Sequence, residues 1–175
     1  MREAIFSTLE SWGLVEGTRV LDLYAGSGAL GLEAASRGAT AVTLVEKHAQ
    51  AAQVATRNTR TVLTAFRDAA APTIEVVRQS VQSYLDSAGE RGAAPAWDVA
   101  LLDPPYVLGE AALTDNLRAL IPLLAPDAAV LVERSTRTPE PSWPEGLVPV
   151  REKRYGETAL WWAEPAGAAE QDLEE

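Results

Sequence analysis

The sequence predicts an α/β fold with a Rossmann-like, doubly wound sheet of seven strands, mostly parallel, that ends in an antiparallel hairpin. Three observations favour this fold. Short apolar runs alternate with stretches of helical periodicity along the 175 residues. A glycine-rich turn follows the first strand-like run, at the position where such sheets bind nucleoside ligands. The turn Tyr155-Gly156-Glu157 between the last two runs is too short for a parallel crossover, so these two strands must be antiparallel.

The individual strands and helices follow from the apolar runs and their periodicity. We predict strands over 19–24, 41–46, 74–78, 97–103, 129–133, 148–154 and 158–163. We predict helices over the opening stretch (Ile5, Phe6, Leu9, Trp12), from the glycine turn to Gly38, over 48–60, up to about Ser87 and over 110–124. Residues 87–96 are typical of a loop. Strands that alternate with helices imply right-handed crossovers and a sheet covered on both faces.

Composition narrows the class of protein. Hydrophobic residues make up 47% and charged residues 23% of the chain, which is typical of a globular domain. The absence of cysteine excludes disulfides and thiolate metal sites, and the lone His48 gives little basis for a transition metal, so we expect no metal. No apolar run approaches the roughly 18 residues of a membrane span. We expect a cytoplasmic protein that does not bind membranes.

Charge is distributed unevenly along the chain. The formal net charge is −10, and residues 164–175 are acidic without any base, so we expect one domain over 1–163 followed by a disordered acidic tail. Basic residues gather in two groups that could be solvated faces or a local phosphate-binding surface. They are Arg57, Arg60 and Arg67, and then Arg134, Arg137, Arg151, Lys153 and Arg154.

The sequence also predicts the exposure of the histidine and of the two adjacent tryptophans. His48 should be exposed at the start of a helix, with no chemical role. Trp161 and Trp162 point to opposite faces of the last strand, so one is expected in the core and the other on the surface.

The turn after the first strand has the pattern G-x-G-x-x-G, at Gly26, Gly28 and Gly31. Gly26 permits a tight turn, Gly28 lets a ligand approach the backbone, and Gly31 lets the helix pack closely on the strand. Glu46 ends the next strand 20 residues after Gly26, where a carboxylate can bind the hydroxyls of a ribose. The pattern alone does not separate nicotinamide enzymes from other nucleoside binders.

Asp22 separates these candidates. It stands four residues before Gly26, at the end of the first strand. A carboxylate there disfavours a pyrophosphate and favours the ammonium group of S-adenosylmethionine. The absence of a G-x-x-x-x-G-K-[ST] motif argues against a nucleoside triphosphate.

The fourth strand ends in Asp103-Pro104-Pro105-Tyr106. Two prolines hold the backbone extended and remove two N–H donors, so the corner presents the Asp103 carboxylate and the Pro104 carbonyl as acceptors. Two acceptors on the hydrogens of an aryl amine would draw the nitrogen toward a pyramidal shape and aim its lone pair at a methyl donor. Tyr106 could stack on an extruded base.

These motifs resemble those of the bacterial small-subunit (16S) ribosomal RNA guanine-N2 methyltransferases. The resemblance covers nearly the whole chain and rests on six segments. They are REAIF (2–6), LDLYAGSGALGLEAASRGA (21–39), LVEKH (44–48), LLDPPY (101–106), VLVE (130–133) and REKRYGET (151–158).

The resemblance implies the class I methyltransferase fold, S-adenosyl-L-methionine as cofactor, and a guanine N2 of 16S rRNA as substrate, in an assembling small subunit. It implies base contacts at Asp103, Pro104 and Tyr106. It implies cofactor contacts at Asp22, Tyr24, Gly26, Gly28, Glu46, Lys47 and Asp103. In the family the third strand often ends in Asp or Asn facing the adenine; here Ser80, or the backbone near Val81, is the expected substitute. We expect a monomer rather than an oligomer.

Family members usually carry an arginine-rich segment before the REAIF motif, and here this motif stands at residues 2–6. The RNA-binding surface is therefore not identified by the resemblance. Three alternatives stay open from the residues alone: an adenine-N6 DNA methyltransferase, a nicotinamide-dependent oxidoreductase, and a non-catalytic nucleoside-binding assembly factor.

Overall fold

Strands and helices alternate along the chain in the computed structural model, which describes residues 1–66, 70–92 and 96–167. The strands are β1 (Arg19–Leu23), β2 (Ala41–Val45), β3 (Thr73–Val77), β4 (Trp97–Leu102), β5 (Leu124–Ser135), β6 (Leu147–Tyr155) and β7 (Thr158–Pro165). The helices are α1 (Arg2–Ser11), α2 (Ala29–Ser36), α3 (Ala49–Thr64), α4 (Val81–Glu90) and α5 (Glu110–Leu120).

The strands form one seven-stranded sheet in the order β3-β2-β1-β4-β5-β7-β6. The first five strands are parallel to one another, and β7 pairs antiparallel with both β5 and β6. The predicted fold class is therefore confirmed, including the antiparallel hairpin at one edge. Because the strand order reverses between β1 and β4, the carboxyl ends of these two strands flank the crevice where such sheets bind ligands.

Several element boundaries differ from the prediction. Helix α3 ends at Thr64 rather than at residue 60, and α4 continues to Glu90, so the first residues of the predicted loop 87–96 are helical. The last helix ends at Leu120 and continues as one turn of 3-10 helix over Ile121–Leu123, because Pro122 has no N–H for an α-helical bond. Strand β5 begins five residues earlier than predicted. Strand β7 reaches Pro165, so the prediction of a disordered tail from residue 164 is wrong for its first two residues; residues 168–175 lie outside the described residues.

The sheet is covered on both faces. Helices α4 and α5 pack on one face, through buried residues such as Leu85 and Leu117. Helices α1, α2 and α3 pack on the other, through residues such as Phe6, Leu32 and Ala55. Among the described residues, no helix combines the length and the apolar character needed to cross a membrane.

The two adjacent tryptophans of β7 are buried on opposite faces of the sheet. Trp161 is 8% exposed and packs on the α4/α5 side, and Trp162 is 1% exposed and packs on the α1 side, where Trp12 meets its ring edge-on at 5.1 Å between centroids. The prediction that one of them lies on the surface was wrong, because β7 is flanked by β5 and β6 and has helices over both faces.

Candidate functional site

The glycine turn takes a backbone shape that few other residues allow. Gly26 and Gly28 have φ of 58° and 84°, in the left-handed region. Gly31 lies in the first turn of α2, where a Cβ would stand 2.4 Å from Leu44 Cδ2 and 3.0 Å from Val42 Cγ1. Glycine at 31 therefore lets α2 pack against β2, as predicted from the sequence pattern. At Gly26 no heavy atom lies within 4 Å of an added Cβ, so this side of the turn is open.

Two carboxylates stabilise the glycine turn by accepting hydrogen bonds from its backbone N–H groups. Asp22 is 3% exposed, and its Oδ2 accepts the Gly31 N–H at 2.9 Å. Glu46 accepts the Gly26 N–H at 3.0 Å with Oε1 and the His48 N–H at 2.8 Å with Oε2. Burial raises the pKa of Asp22 to about 7, and the charges of Asp103 and Glu46 add to this rise. The Gly31 bond opposes the rise.

A cavity of about 480 Å³ opens beside this turn, at the carboxyl ends of the parallel strands. It combines an apolar wall with a few polar groups, which is typical of a small-molecule site. Its lining includes Tyr24, Val45, Glu46, Lys47, His48, Ser80, Val81, Gln82, Asp103, Pro105, Val107, Leu108, Ala112, Asp115 and Asn116. We name it the nucleoside cavity.

A second cavity of about 370 Å³ lies on the other side of the Asp-Pro-Pro-Tyr corner. It is lined by Met1, Asp103, Pro104, Pro105, Tyr106, Glu133, Arg134, Ser135, Thr138, Glu157 and Thr158. We name it the corner cavity. Asp103 and Pro105 line both cavities, so the two spaces meet at this corner. The Asp103 carboxylate therefore stands at the boundary between the two cavities.

The predicted site residues fall into three sets. Six line the nucleoside cavity: Tyr24, Glu46, Lys47, Ser80, Val81 and Asp103. Pro104 and Tyr106 line the corner cavity together with Asp103. Asp22, Gly26 and Gly28 are not among the lining residues of either cavity; they form and support the turn beside it.

Four acids lie on one face of the sheet at the carboxyl ends of its strands, with Asp22 two residues below the level of the other three. The register pairs Asp22 with Leu44 of β2 and Leu101 of β4, and Leu101 with Leu131 of β5. Because side chains alternate along a strand, residues two positions past these leucines share the face of Asp22. These residues are Glu46, Asp103 and Glu133. Among the described residues, no group of three or more His, Cys, Asp or Glu side chains is placed to hold a metal ion.

Asp103 and Glu133 form a hydrogen-bonded acid pair. Burial raises the pKa of Glu133 to about 8, and the charge of Asp103, the hydrogen bond to it and the charge of Asp22 add to the rise. The Met1 amino group opposes it. Burial also raises the pKa of Asp103, but the bond from Glu133 lowers it. Both pKa values are raised, so the pair keeps a proton at a pH at which separate carboxyl groups are ionised.

Tyr24 ties the end of β1 to α5 across the nucleoside cavity. It has a positive φ of 61°, and its hydroxyl donates to Asn116 Oδ1 at 2.5 Å. Asn116 in turn donates to Gln82 Oε1 at 3.2 Å and to the Ala112 carbonyl at 3.0 Å. Burial raises the pKa of Tyr24 to about 12. The tyrosine thus stays protonated and holds one wall of the cavity.

The basic groups seen in the sequence do not form one surface. Arg134 is buried and donates to the Glu110 carboxylate and to the Leu108 carbonyl, so it anchors the loop after the proline corner rather than facing phosphate. Arg137 and Arg154 pair with acids of the same hairpin region, Glu157 and Glu152. Arg151 and Lys153 are exposed on β6, and neither has an ion pair among the described residues. Arg67 lies outside the described residues.

Several site residues were not predicted from the sequence, and three of them are polar groups with hydrogen-bond partners in the site. Glu133 ends the predicted strand 129–133 just as Asp103 ends the predicted strand 97–103, and this shared position is a signal that the sequence does contain. Gln82 and Asn116 lie on α4 and α5, and no spacing rule connects them with Tyr24. His48 is exposed at the start of α3, as predicted, and lines the nucleoside cavity.

The chain is similar in sequence and in fold to proteins that are named as methyltransferases. The chain is 31% identical to ribosomal RNA small subunit methyltransferase D of Escherichia coli over 174 residues, covering 98% of this chain and 81% of the relative. A solved structure of a putative methyltransferase (yhhF) from Escherichia coli superposes with a TM-score of 0.76 at 30% identity, covering 94% of this chain and 85% of that one.

A more distant structure shows the same fold. Magnesium protoporphyrin IX methyltransferase from Synechocystis, solved with bound S-adenosylmethionine, superposes with a TM-score of 0.69 at 14% identity and covers 94% of this chain and 78% of that one. The family model described as conserved hypothetical protein 95 matches residues 1–164. The chain therefore belongs to the conserved hypothetical protein 95 family, which confirms the family that its motifs resemble.

Proposed function

We propose that this protein transfers the methyl group of S-adenosylmethionine to the exocyclic N2 of a guanine in small-subunit ribosomal RNA. The observation that carries the proposal is the meeting of the two cavities at Asp103 and Pro105. One cavity has the chemistry of a nucleoside site, and the other has acceptors and an aromatic ring that suit an extruded base. The family relationship to rRNA methyltransferases supports the same reaction.

The nucleoside cavity fits S-adenosylmethionine on the chemistry of its lining. Val45, Val81 and Leu108 offer apolar contacts for an adenine ring, and Ser80 at the start of α4 adds a polar atom beside them. Glu46 has both oxygens bonded to backbone N–H groups, but a carboxylate has about four acceptor positions, so it can still accept from ribose hydroxyls. Lys47, which follows Glu46 in the chain, also lines the nucleoside cavity.

Asp22 is proposed to act through its charge rather than by lining the cavity. It lies behind the glycine turn, where its pKa of about 7 makes its ionisation sensitive to nearby charge. A cationic group in the cavity favours the ionised carboxylate, and the ionised carboxylate favours the cation in return. The cofactor supplies an electrophilic methyl group bonded to sulfonium sulfur.

The proline corner is proposed to orient the amine. The Asp103 carboxylate and the Pro104 carbonyl accept from the two hydrogens of the NH₂ group, which turns the nitrogen lone pair toward the nucleoside cavity. The N–C bond forms as the C–S bond breaks, and the nitrogen then loses one proton toward the Asp103 carboxylate and solvent. Positioning of this kind supplies most of the rate enhancement in such displacements. Tyr106 is 93% exposed and free to stack on the base.

The test is methyl transfer followed by identification of the product. The purified protein is incubated with labelled S-adenosylmethionine and small ribosomal subunits that lack this modification, and the RNA is then digested to nucleosides. We expect label in N2-methylguanosine, and none with Asp103→Ala. Label in N6-methyladenine, or no incorporation by the wild type with subunits or with their free RNA, would overturn the proposal. The assembling subunit as substrate and the monomeric state stay predictions.

A further inference from the structure

Glu133 lies beside Asp103 in the corner cavity. The parallel register pairs Leu102 of β4 with Val132 of β5, so the next residue on each strand stands at the same level. Both side chains point to the α1 face of the sheet, and Glu133 is only 8% exposed. It lines the corner cavity together with Pro104 and Tyr106. A base held by the proline corner therefore meets Glu133 as well as Asp103.

The two acids present acceptors side by side. The hydrogen bond between the two acids uses one oxygen of each, which leaves the second oxygen of Glu133 and the second oxygen of Asp103 as acceptors. The remaining charged groups that act on Glu133 are Asp22 and the Met1 amino group. On the neighbouring strand β7, the residue paired with Glu133 is the apolar Leu160.

Two adjacent acceptors match the edge of guanine that carries N1 and N2. The edge of guanine that carries N2 also carries the N1–H, so it offers donors side by side. The corresponding edge of adenine offers the N6 amine next to N1, which is an acceptor. Flipped bases are read through hydrogen bonds to this edge. Two adjacent acceptors can accept hydrogen bonds from the N1–H and the N2 amine of guanine. With adenine, one of the two acceptors would instead face the lone pair of N1.

We infer that Glu133 is the residue that selects guanine: its carboxyl oxygen accepts the N1–H while Asp103 accepts from the N2 amine. This inference rests on the proposed function and adds the group that reads the base. Glu133 would discriminate between bases because a mismatched base leaves a buried acceptor facing another acceptor, and buried polar groups without a partner are strongly disfavoured.

The test compares two substrates that share the methyl-accepting amine. Small-subunit RNA is prepared with either guanine or 2-aminopurine at the methylated position. 2-Aminopurine keeps the amino group at C2, but its N1 is an acceptor. We expect wild-type kcat/KM to be about 10- to 100-fold lower with 2-aminopurine. Glu133→Leu should lose a similar factor with guanine and change little with 2-aminopurine, so the preference disappears.

Glu133→Gln is the matched control. Its amide can donate N–H to Asp103 and present its oxygen to N1–H, so it should keep the preference for guanine. Equal loss on both substrates in Glu133→Leu would show that Glu133 only supports the structure. Equal wild-type rates with both bases would overturn the inference without any variant, even if Glu133→Leu fails to fold. Failure to methylate guanine at all would instead overturn the proposed function.

Discussion

The backbone N–H of Gly26 donates to Glu46 Oε1 at 3.0 Å, which ties the glycine turn to the end of the neighbouring strand. The other oxygen of Glu46 accepts the His48 N–H at 2.8 Å. One side chain thus fixes two backbone segments that border the nucleoside cavity. The shape of the nucleoside cavity should therefore depend on Glu46 even when no ligand is bound.

Replacing Glu46 with alanine should weaken cofactor binding. The change removes the proposed ribose contact and leaves two backbone N–H groups without their acceptor, so we expect the Kd for S-adenosylmethionine to rise by about 10- to 100-fold. Isothermal titration calorimetry measures this directly. Glu90→Ala, at an exposed position on α4, is the control and should bind as the wild type does. An unchanged Kd in Glu46→Ala would contradict the assignment.

Tyr106 should contribute to RNA methylation but not to folding. The side chain is almost fully exposed, so Tyr106→Ala removes a stacking platform without opening a hole in the core. A stacked base is worth about 1–3 kcal/mol, so we expect a loss of about 5- to 150-fold in kcat/KM for the RNA. The melting temperature and the Kd of the cofactor should not change. Tyr106→Phe keeps the ring and should stay active; similar losses in both variants would argue against stacking.

Gly31 should not tolerate even one added methyl group. A Cβ there would overlap Leu44 and press on Val42 and the Asp22 carboxylate, all of which are buried. Overpacking of this kind costs about 1–3 kcal/mol, so Gly31→Ala should unfold at lower denaturant concentration. Gly89→Ala is the matched control, because it is also helical and has no heavy atom within 4 Å of the new Cβ. It should be neutral or slightly stabilising. Equal stability of the two variants would contradict this account.

Stability should fall as the pH rises from about 5 to 8. Glu133 and Asp22 have pKa values of about 8 and 7 in the folded protein, above the values of 4.5 and 3.8 that they have when unfolded. The folded state therefore binds protons more tightly than the unfolded state, and this contribution is complete at low pH and is lost as the pH passes the folded pKa. The loss from Glu133 alone is on the order of a few kcal/mol.

Thermal unfolding between pH 5 and pH 9 measures this effect. Glu133→Gln carries no titrating group at that position, so its melting temperature should fall less steeply with pH than that of the wild type. Parallel curves for the two proteins would show that Glu133 does not hold a proton in the folded state.

Arg151 and Lys153 should bind RNA phosphates. Both are exposed on β6, and the register pairs them with Trp162 and Leu160, which places them on the same face of the sheet as Asp103 and Glu133. We expect the double variant Arg151→Ala/Lys153→Ala to bind RNA more weakly and to lower the slope of log Kd against log salt by about 1.4 to 1.8. Arg118→Ala, on α5 at the opposite face, is the control. An unchanged slope would place the RNA elsewhere.

Much of the site could be predicted because it depends on strand ends. In a parallel sheet the carboxyl ends of all strands meet at one rim, so an acid or a proline corner at the end of an apolar run can be assigned to that rim without coordinates. Asp103 and Glu46 were found in this way. Glu133 follows the same rule and was missed, because its segment was interpreted only as a strand. Asn116 could not have been found, since it reaches Tyr24 from a helix 92 residues away.

The sequence by itself determined the fold class, the position of the glycine turn and the corner at Asp103, because alternating periodicity and backbone-restricting residues act locally. Only the tertiary structure decided which of these groups touch. It placed Asp22 behind the turn rather than in the cavity wall, it buried Arg134 against Glu110, and it brought Glu133 into hydrogen-bonding contact with Asp103. Such contacts depend on strand order and register, which are set by the packing of the whole sheet and not by any short segment.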